Sequence, residues 1–286
     1  MELAKGEKVF NVCNIIFISF FSLLIILPIM NIVSLSFNDG TDSLRGGIYF
    51  WPRKFSLDNY QIVLSTPAIY KAFGISVLKT VIGVVTHLIV TGAAAYAMSK
   101  AELIGRKWFI KMGILTMFVG GGMIPSFLVI KSLGLYNSFW VYIIPALFSF
   151  YNLIIFMNFF RNLPASLEES AKIDGAGYFT IFFKIVLPLS FPVFATIALF
   201  TGVGQWNDFF TTKLYIDNPD LFPIQYYLYQ MLMSVGSQSA IKAGIVIPTE
   251  ALQQATMVIT TLPIVLVYPF LQKYFISGML VGGVKE

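Results

Sequence analysis

Residues 161–188 read RNLPASLEESAKIDGAGYFTIFFKIVLP, with a charge-free run at 132–160 before them and another at 185–207 beginning inside them. The punctuation of this stretch is local. Pro164 stops the helix that precedes it. Ser166 with Glu169 three residues on has capping-box spacing and predicts the start of a short helix. Asp174-Gly175 ends that helix, since glycine suits a left-handed C-cap. Phe179, Phe182, Phe183 and Val186 then recur at i, i+3, i+4 and i+7, which predicts a second helix with one apolar face. The stretch reads as a polar knob of two short helices hinged at a glycine, set between far more apolar neighbours.

Further charge-free runs fall at 9–38, 80–99, 112–130 and 251–272. Each run is near or above the ~20 residues that a helix needs to cross a ~30 Å hydrocarbon core. Overall the chain is 57% hydrophobic and 12% charged, against about 45–50% and about 25% for a soluble domain. That excludes a secreted disulfide scaffold, a soluble α/β enzyme and a disordered chain. An outer-membrane barrel would show alternating segments of ~10 residues instead. The expected fold is all-α: a polytopic membrane protein, one transmembrane domain over 1–286, with six spans near 12–36, 72–98, 109–131, 139–160, 185–208 and 251–273.

An even number of spans puts both termini on one side. With the termini cytoplasmic, Lys5, Lys8, Lys100, Arg106, Lys107, Lys111, Arg161, Lys172, Lys184, Lys273 and Lys285 lie inside, against Arg45, Arg53, Lys54, Lys71, Lys131, Lys213 and Lys242 in longer outer loops, and positive-inside bias favours this orientation. The same distribution accounts for the net charge of +5 and the pI near 9.1, so no nucleic-acid partner is expected. The first run is about twice the length of a signal-peptide core and ends at no small-x-small site, so it is expected to stay as a span. A lone Cys13 permits neither an internal disulfide nor a cysteine-rich metal site. Residues 221–241 are also charge-free, but their Gln, Ser, Tyr and Pro content makes insertion costly. They are read as an external loop with helical pieces, in which Tyr226, Tyr227 and Tyr229 would meet an external protein or the headgroups. Residues 38–71 carry turn chemistry in Asp39, Gly40, Gly46, Gly47, Pro52 and Pro67. Gly120, Gly121, Gly122 and Pro125 predict a break in span three, facing either other helices or a pathway.

Glu169, Ser170, Ala171, then Gly175, then Ile185, Leu187 and Pro188 stand at the spacing E-A-A, three residues, G, nine residues, I-x-L-P. In these residues the chain resembles the membrane-spanning subunits of binding-protein-dependent ABC importers; Ser170 in place of the first alanine is the single departure. ESAKIDGA, with Asp174 and Ala176, is similar to the carbohydrate-uptake, maltose-type branch. GGGMIPSFLVI, the Trp206-Asn207 pair and PIVLVYPFLQKYFISGMLVGGVKE resemble a subgroup associated with complex oligosaccharides and uronides. The resemblance covers essentially the whole chain. It implies an ABC permease fold in the plasma (inner) membrane, a second homologous permease, two ATPase subunits carrying ATP and Mg, and an extracellular binding protein that delivers oligosaccharide. Residues 161–188 would be the cytoplasmic coupling segment, docked in an ATPase cleft. Small Ala171 and Gly175 permit close approach there, and Glu169 and Asp174 offer acceptors.

No G-x-x-x-x-G-K-[ST] loop occurs, so ATP chemistry is assigned to partners, and no cofactor or metal is expected on this chain. Neither H-E-x-x-H nor G-x-S-x-G occurs, which leaves no hydrolase signature. His87, beside Thr86 and Thr91, reads as a neutral imidazole hydrogen-bonded between helices. With Lys79 placed near a span end, there is no intramembrane relay of the kind that a secondary sugar carrier, the competing reading, would need. For the sugar path, Gln205, Trp206, Asn207 and Asp208 mix an aromatic face with amide and carboxylate groups. In a straight helix Trp206 stands about 32 Å beyond Ile185, at the outer interface. A membrane belt is the alternative role there. Asn152, between Tyr151 and Asn158, is a second path candidate, with a helix–helix hydrogen bond as its alternative.

Overall fold

The computed structural model describes residues 5–233 and 249–283. Helix α1 spans Lys5–Ser36, α2 Gly40–Ser43, α3 Asp58–Leu64 and α4 Pro67–Ser99. Among the described residues three helices are long and apolar enough to cross a membrane: Gly6–Ser36, Pro67–Ser99 and Glu250–Pro269. The other three expected spans are bent pairs. Together these make the six-span, all-α membrane architecture expected from the apolar runs.

The bends have local causes. Span three is α5, Arg106–Phe118, and α6, Met123–Ser132, which meet at 118°. Gly122 takes φ +81°, a conformation glycine adopts without Cβ strain. Pro125 lies in the first turn of α6, where its missing N–H costs nothing. Span four starts in 3₁₀ turns at Phe139–Tyr142 and Ile144–Ala146, and becomes α7 at Phe150–Arg161 after a 46° bend.

Beyond α8, Ala165–Ile173, the chain runs through α9, Tyr178–Ile181, a π turn at Phe182–Val186 and α10, Leu187–Leu189. It then bends by 82° into α11, Phe191–Asn207. Pro192 cannot donate to residue 188, and its ring crowds that carbonyl, so the helix breaks at Ser190. A straight span at 185–208 is therefore not formed, and the 32 Å rise expected between Ile185 and Trp206 does not apply. The π turn also corrects the apolar stripe. One extra residue per turn rotates the register, so Ile181, Phe182 and Val186 are buried while Phe179 and Phe183 are exposed.

Helices α12, Phe210–Tyr215, and α13, Ile224–Met233, follow. Of the 221–241 stretch, residues 234–241 lie outside the described residues. The rest is a turn leading into α13, with Tyr226, Tyr227 and Tyr229 half-buried. The last helix is Glu250–Gly283.

The chain divides into two compact units, one of Met1–Tyr70 with Leu228–Leu262, the other of Lys71–Tyr227 with Pro263–Glu286. In the first, the turn-rich loop is ordered by buried amides. Asn59 Nδ2 donates to the carbonyls of Ser36 and Asn38 at 3.2 and 2.7 Å, and Asn38 Nδ2 donates to Ser43 Oγ at 3.0 Å. Asp39 caps α2 by accepting from the backbone of Thr41 and Asp42, both at 3.0 Å.

The second unit is built on an aromatic core from α4, α7, α9 and α11. Phe156 is fully buried, its ring 4.5 Å from Phe194 and 5.7 Å from Phe160. Lipid is as apolar as these side chains, so close packing rather than expulsion from water holds the helices together. Small residues permit it: a Cβ on Gly92 would stand 3.0 Å from Phe194, and one on Gly113 would fall inside the Phe150 ring.

Candidate functional site

The hinge at Gly175 is built as expected. Gly175 takes φ +80°. The Ala176 N–H donates to the Ala171 carbonyl at 2.9 Å and the Gly175 N–H to the Lys172 carbonyl at 3.0 Å. This pair of bonds is a Schellman cap on α8. The N-terminal expectation fails, however. Pro164 is the N-cap, with no side-chain cap, and Ser166 lies one residue inside the helix, so no Ser166–Glu169 capping box forms.

Placing the helix start at Ala165 sets which acid points where. Glu168 turns inward, and its carboxylate accepts from Lys100 Nζ through both oxygens, while the ammonium lies 4.3 Å from the Tyr96 ring centre. Glu169, about 100° further round the helix, is exposed, as are Ser170, Asp174 and Gly175. Ala171, Ala176, Ile185 and Leu187 pack against the aromatic core, whereas Pro188 is exposed. Ile173 and Phe179 are 86% and 80% exposed on either side of the hinge. The result is an acidic turn with apolar flanks on a rigid base, a surface suited to docking.

The residues proposed for the sugar path separate into two sites. Asn152 Nδ2 donates to His87 Nε2 at 2.9 Å, and His87 Nδ1 donates to the Ala146 carbonyl at 2.7 Å. A carbonyl only accepts, so Nδ1 carries a proton, and the ring bonds from helix to helix as expected of it. The amide nitrogen of Asn152 is committed to this bond.

Gln205 to Asp208 assemble elsewhere, at the end of α11. Gln205 is buried and donates to the Tyr142 carbonyl at 3.1 Å; Gly83 leaves room for it. Trp206 is buried edge-on against Phe73, with ring centres 5.6 Å apart. Asn207 is exposed and accepts from Gln225 Nε2 at 3.3 Å. Asp208 accepts from Lys79 Nζ, at 2.7 Å through its carbonyl and 3.4 Å through its carboxylate. Lys79 is fully buried and lies 4.8 Å from the Tyr142 ring centre. The Tyr142 hydroxyl donates to the Leu221 carbonyl at 3.0 Å and accepts from Thr212 at 2.9 Å.

Lys79 thus corrects the sequence reading. Helix α4 begins at Pro67, so this lysine lies well inside the span rather than near its end. One signal was available: a single lysine directly preceding an apolar run is retained only with a partner. The glycine break of span three opens on a cavity of about 380 Å³ lined by Gly121, Pro125, Ser126, Thr211 and Tyr215 among others. Among the described residues, no group of three His, Cys, Asp or Glu side chains is placed to hold a metal ion.

Residues 3–281 match the family model described as the binding-protein-dependent transport system inner membrane component. The chain belongs to this family. Protein LplC of Bacillus subtilis is 42% identical to this inner membrane component, with 100% of this chain and 98% of the relative covered. The polygalacturonan/rhamnogalacturonan transport system permease protein YtcP of the same organism is also 42% identical, covering 98% and 99%. A solved bacterial ABC transporter involved in the import of the acidic polysaccharide alginate contains a chain that matches with TM-score 0.87 at 29% identity, covering 96% of this chain and 99% of that one. The inner membrane component therefore has the fold of an ABC importer permease, and it works as a permease with partner subunits. A secondary carrier, the competing reading, is set aside.

Proposed function

We propose that this inner membrane component is one of two related permeases in an importer of oligosaccharides derived from acidic polysaccharides. Two ATPase subunits, which bind ATP and Mg, would drive it, and an external binding protein would deliver the sugar. Two similar proteins support the substrate class, one a permease of a polygalacturonan/rhamnogalacturonan transport system and the other part of a transporter involved in the import of the acidic polysaccharide alginate. The distribution of Lys and Arg supports cytoplasmic termini in the inner membrane.

The observation that carries the mechanism is the exposed acidic turn from Glu169 to Ala176, held by the Schellman cap at Gly175 and backed by the aromatic core. It presents Glu169 and Asp174 to a partner's basic or hydroxyl groups without any rearrangement of the fold. Ile185, Leu187 and Pro188 join this turn to α11. ATP-driven closure of the ATPase pair moves the turn, and the helices alternate between inward and outward access. Around the path, Gln205 and Trp206 act as buried scaffold, with Asn207 and Asp208 reaching solvent beside it. Asn152 serves helix packing.

The test is the complete complex in vesicles with its binding protein. Wild type takes up oligogalacturonides or oligoalginates only with ATP. Glu169→Lys and Gly175→Asp abolish uptake and release the ATPase subunits. Undiminished uptake in both variants would overturn the coupling role, and uptake limited to neutral oligosaccharides would overturn the substrate class.

A further inference from the structure

Two charged joints tie helix α4 to other elements, one just past its last residue and one well inside it. At one end, Lys100 follows the last helical residue and grips Glu168 of α8 through both carboxylate oxygens, each side chain only 17% exposed. Well inside the helix, twelve residues past its start, buried Lys79 holds Asp208 just past the end of α11. Along a helix these two lysines stand about 32 Å apart. Both joints belong to one compact unit.

The covalent route between the same two acids is soft by comparison. From Glu168 to Asp208 the chain passes the left-handed hinge at Gly175, the π turn at Phe182–Val186 and the 82° bend at Ser190. Each of these can absorb a displacement by a change of backbone angle. Helix α4 is a single 33-residue helix with no proline after its first residue. Nor do such pairs serve stability well, since partly or wholly buried ion pairs are often replaced by apolar residues without loss. What a buried pair does supply is one fixed geometry, because separating the charges leaves each without compensation.

We propose that α4 is a connecting rod. It carries movement of the coupling turn to the polar group at Gln205–Asp208, with Lys100–Glu168 as the inner joint and Lys79–Asp208 as the outer one. Lys79, Lys100 and Glu168 are positioning residues in this scheme, acting through the elements they fasten. The proposal rests on the coupling role given to α8 and α9 above. It adds that force passes through α4 rather than along the bent chain.

The readout is sugar imported per ATP hydrolysed by the complete complex in vesicles. Wild-type uptake is measured first: its absence would overturn the transport reading, whereas wild-type uptake with unaffected variants would overturn the rod alone. Lys79→Met and Lys100→Met are expected to assemble and hydrolyse ATP, each with the ratio lowered about tenfold, within the usual range of coupling between sites. Lys100→Arg, which keeps the charge, holds the ratio near wild type.

Joints in series give the decisive arm. The double variant Lys79→Met/Lys100→Met should be no worse than the poorer single variant, because breaking either joint disconnects the rod. An unchanged ratio in either Met variant, a loss that persists in Lys100→Arg, or multiplying losses in the double variant would each overturn the proposal. If a Met variant does not assemble, the Gln variant at the same position carries the same expectation. Failure of that one too would mark the pair as a folding contact and end the proposal.

Discussion

Asn152 and His87 meet between α7 and α4, with the amide nitrogen donating to Nε2 at 2.9 Å while Nδ1 donates to the Ala146 carbonyl. Both ring nitrogens are thereby satisfied in a site where the histidine is only 3% exposed. Asn152→Leu removes the donor and strands the acceptor. The expected loss is about 1–3 kcal/mol of stability, the cost of a buried polar atom left unpaired. Thermal denaturation of the purified complex checks it. The profile of imported sugars should not change; a changed profile would return Asn152 to the sugar path.

Gly175 isolates backbone conformation from packing. A Cβ there would meet nothing within 4 Å, yet φ is +80°. Gly175→Ala should therefore cost about 1–2 kcal/mol in left-handed strain, and Gly175→Asn less. Limited proteolysis across 161–188 should rank the variants Ala above Asn above wild type in cleavage rate. Equal rates for Ala and Asn would show that the cap is not set by left-handed preference.

Gly113 presents the opposite case. A Cβ on this α5 residue would fall inside the Phe150 ring at the start of α7. Phe150 is itself buried, so the ring has little freedom to move. Gly113→Ala is expected to destabilise by about 1–3 kcal/mol through overpacking. Gly113→Ala combined with Phe150→Leu should regain part of the loss in the same melting measurement.

Asp39 predicts a pH effect in the loop after α1. The Thr41 hydroxyl, the Asp42 backbone N–H and Lys54, whose Nζ lies 3.0 Å away, hold its carboxyl well below the usual carboxylate range. The folded value lies below the unfolded one, so the stabilisation is complete above the unfolded value of about 3.9. It is lost as pH falls through the depressed folded value. Hydrogen exchange at Thr41 and Asp42, corrected for intrinsic rates, should quicken on acidification below that range in wild type. Asp39→Ala should show fast exchange at every pH.

Local grammar was legible where neighbours in sequence are neighbours in space. The Schellman cap follows from Asp174-Gly175, and the break of span three follows from the glycine run ending at Gly122, because Gly175 and Gly122 take positive φ angles that glycine adopts without Cβ strain. Misreadings arose one step further out. The capping-box spacing at Ser166 lost to Pro164, which starts α8 two residues earlier. The apolar stripe from Phe179 to Val186 lost to a π turn, and the straight fifth span lost to the break at Ser190.

By itself the sequence established a polytopic helical membrane protein, six apolar segments and a polar knob with importer-type spacing, since hydropathy and turn chemistry are summed along the chain. Only the tertiary structure selected Glu168 over Glu169 as the partner of Lys100 and joined Lys79 to Asp208. These contacts bridge residues 68 and 129 positions apart. Which of two adjacent acids faces inward depends on helix phase, and which lysine is buried depends on where the bends bring the helices together. Both are properties of packing, and neither is written in local spacing.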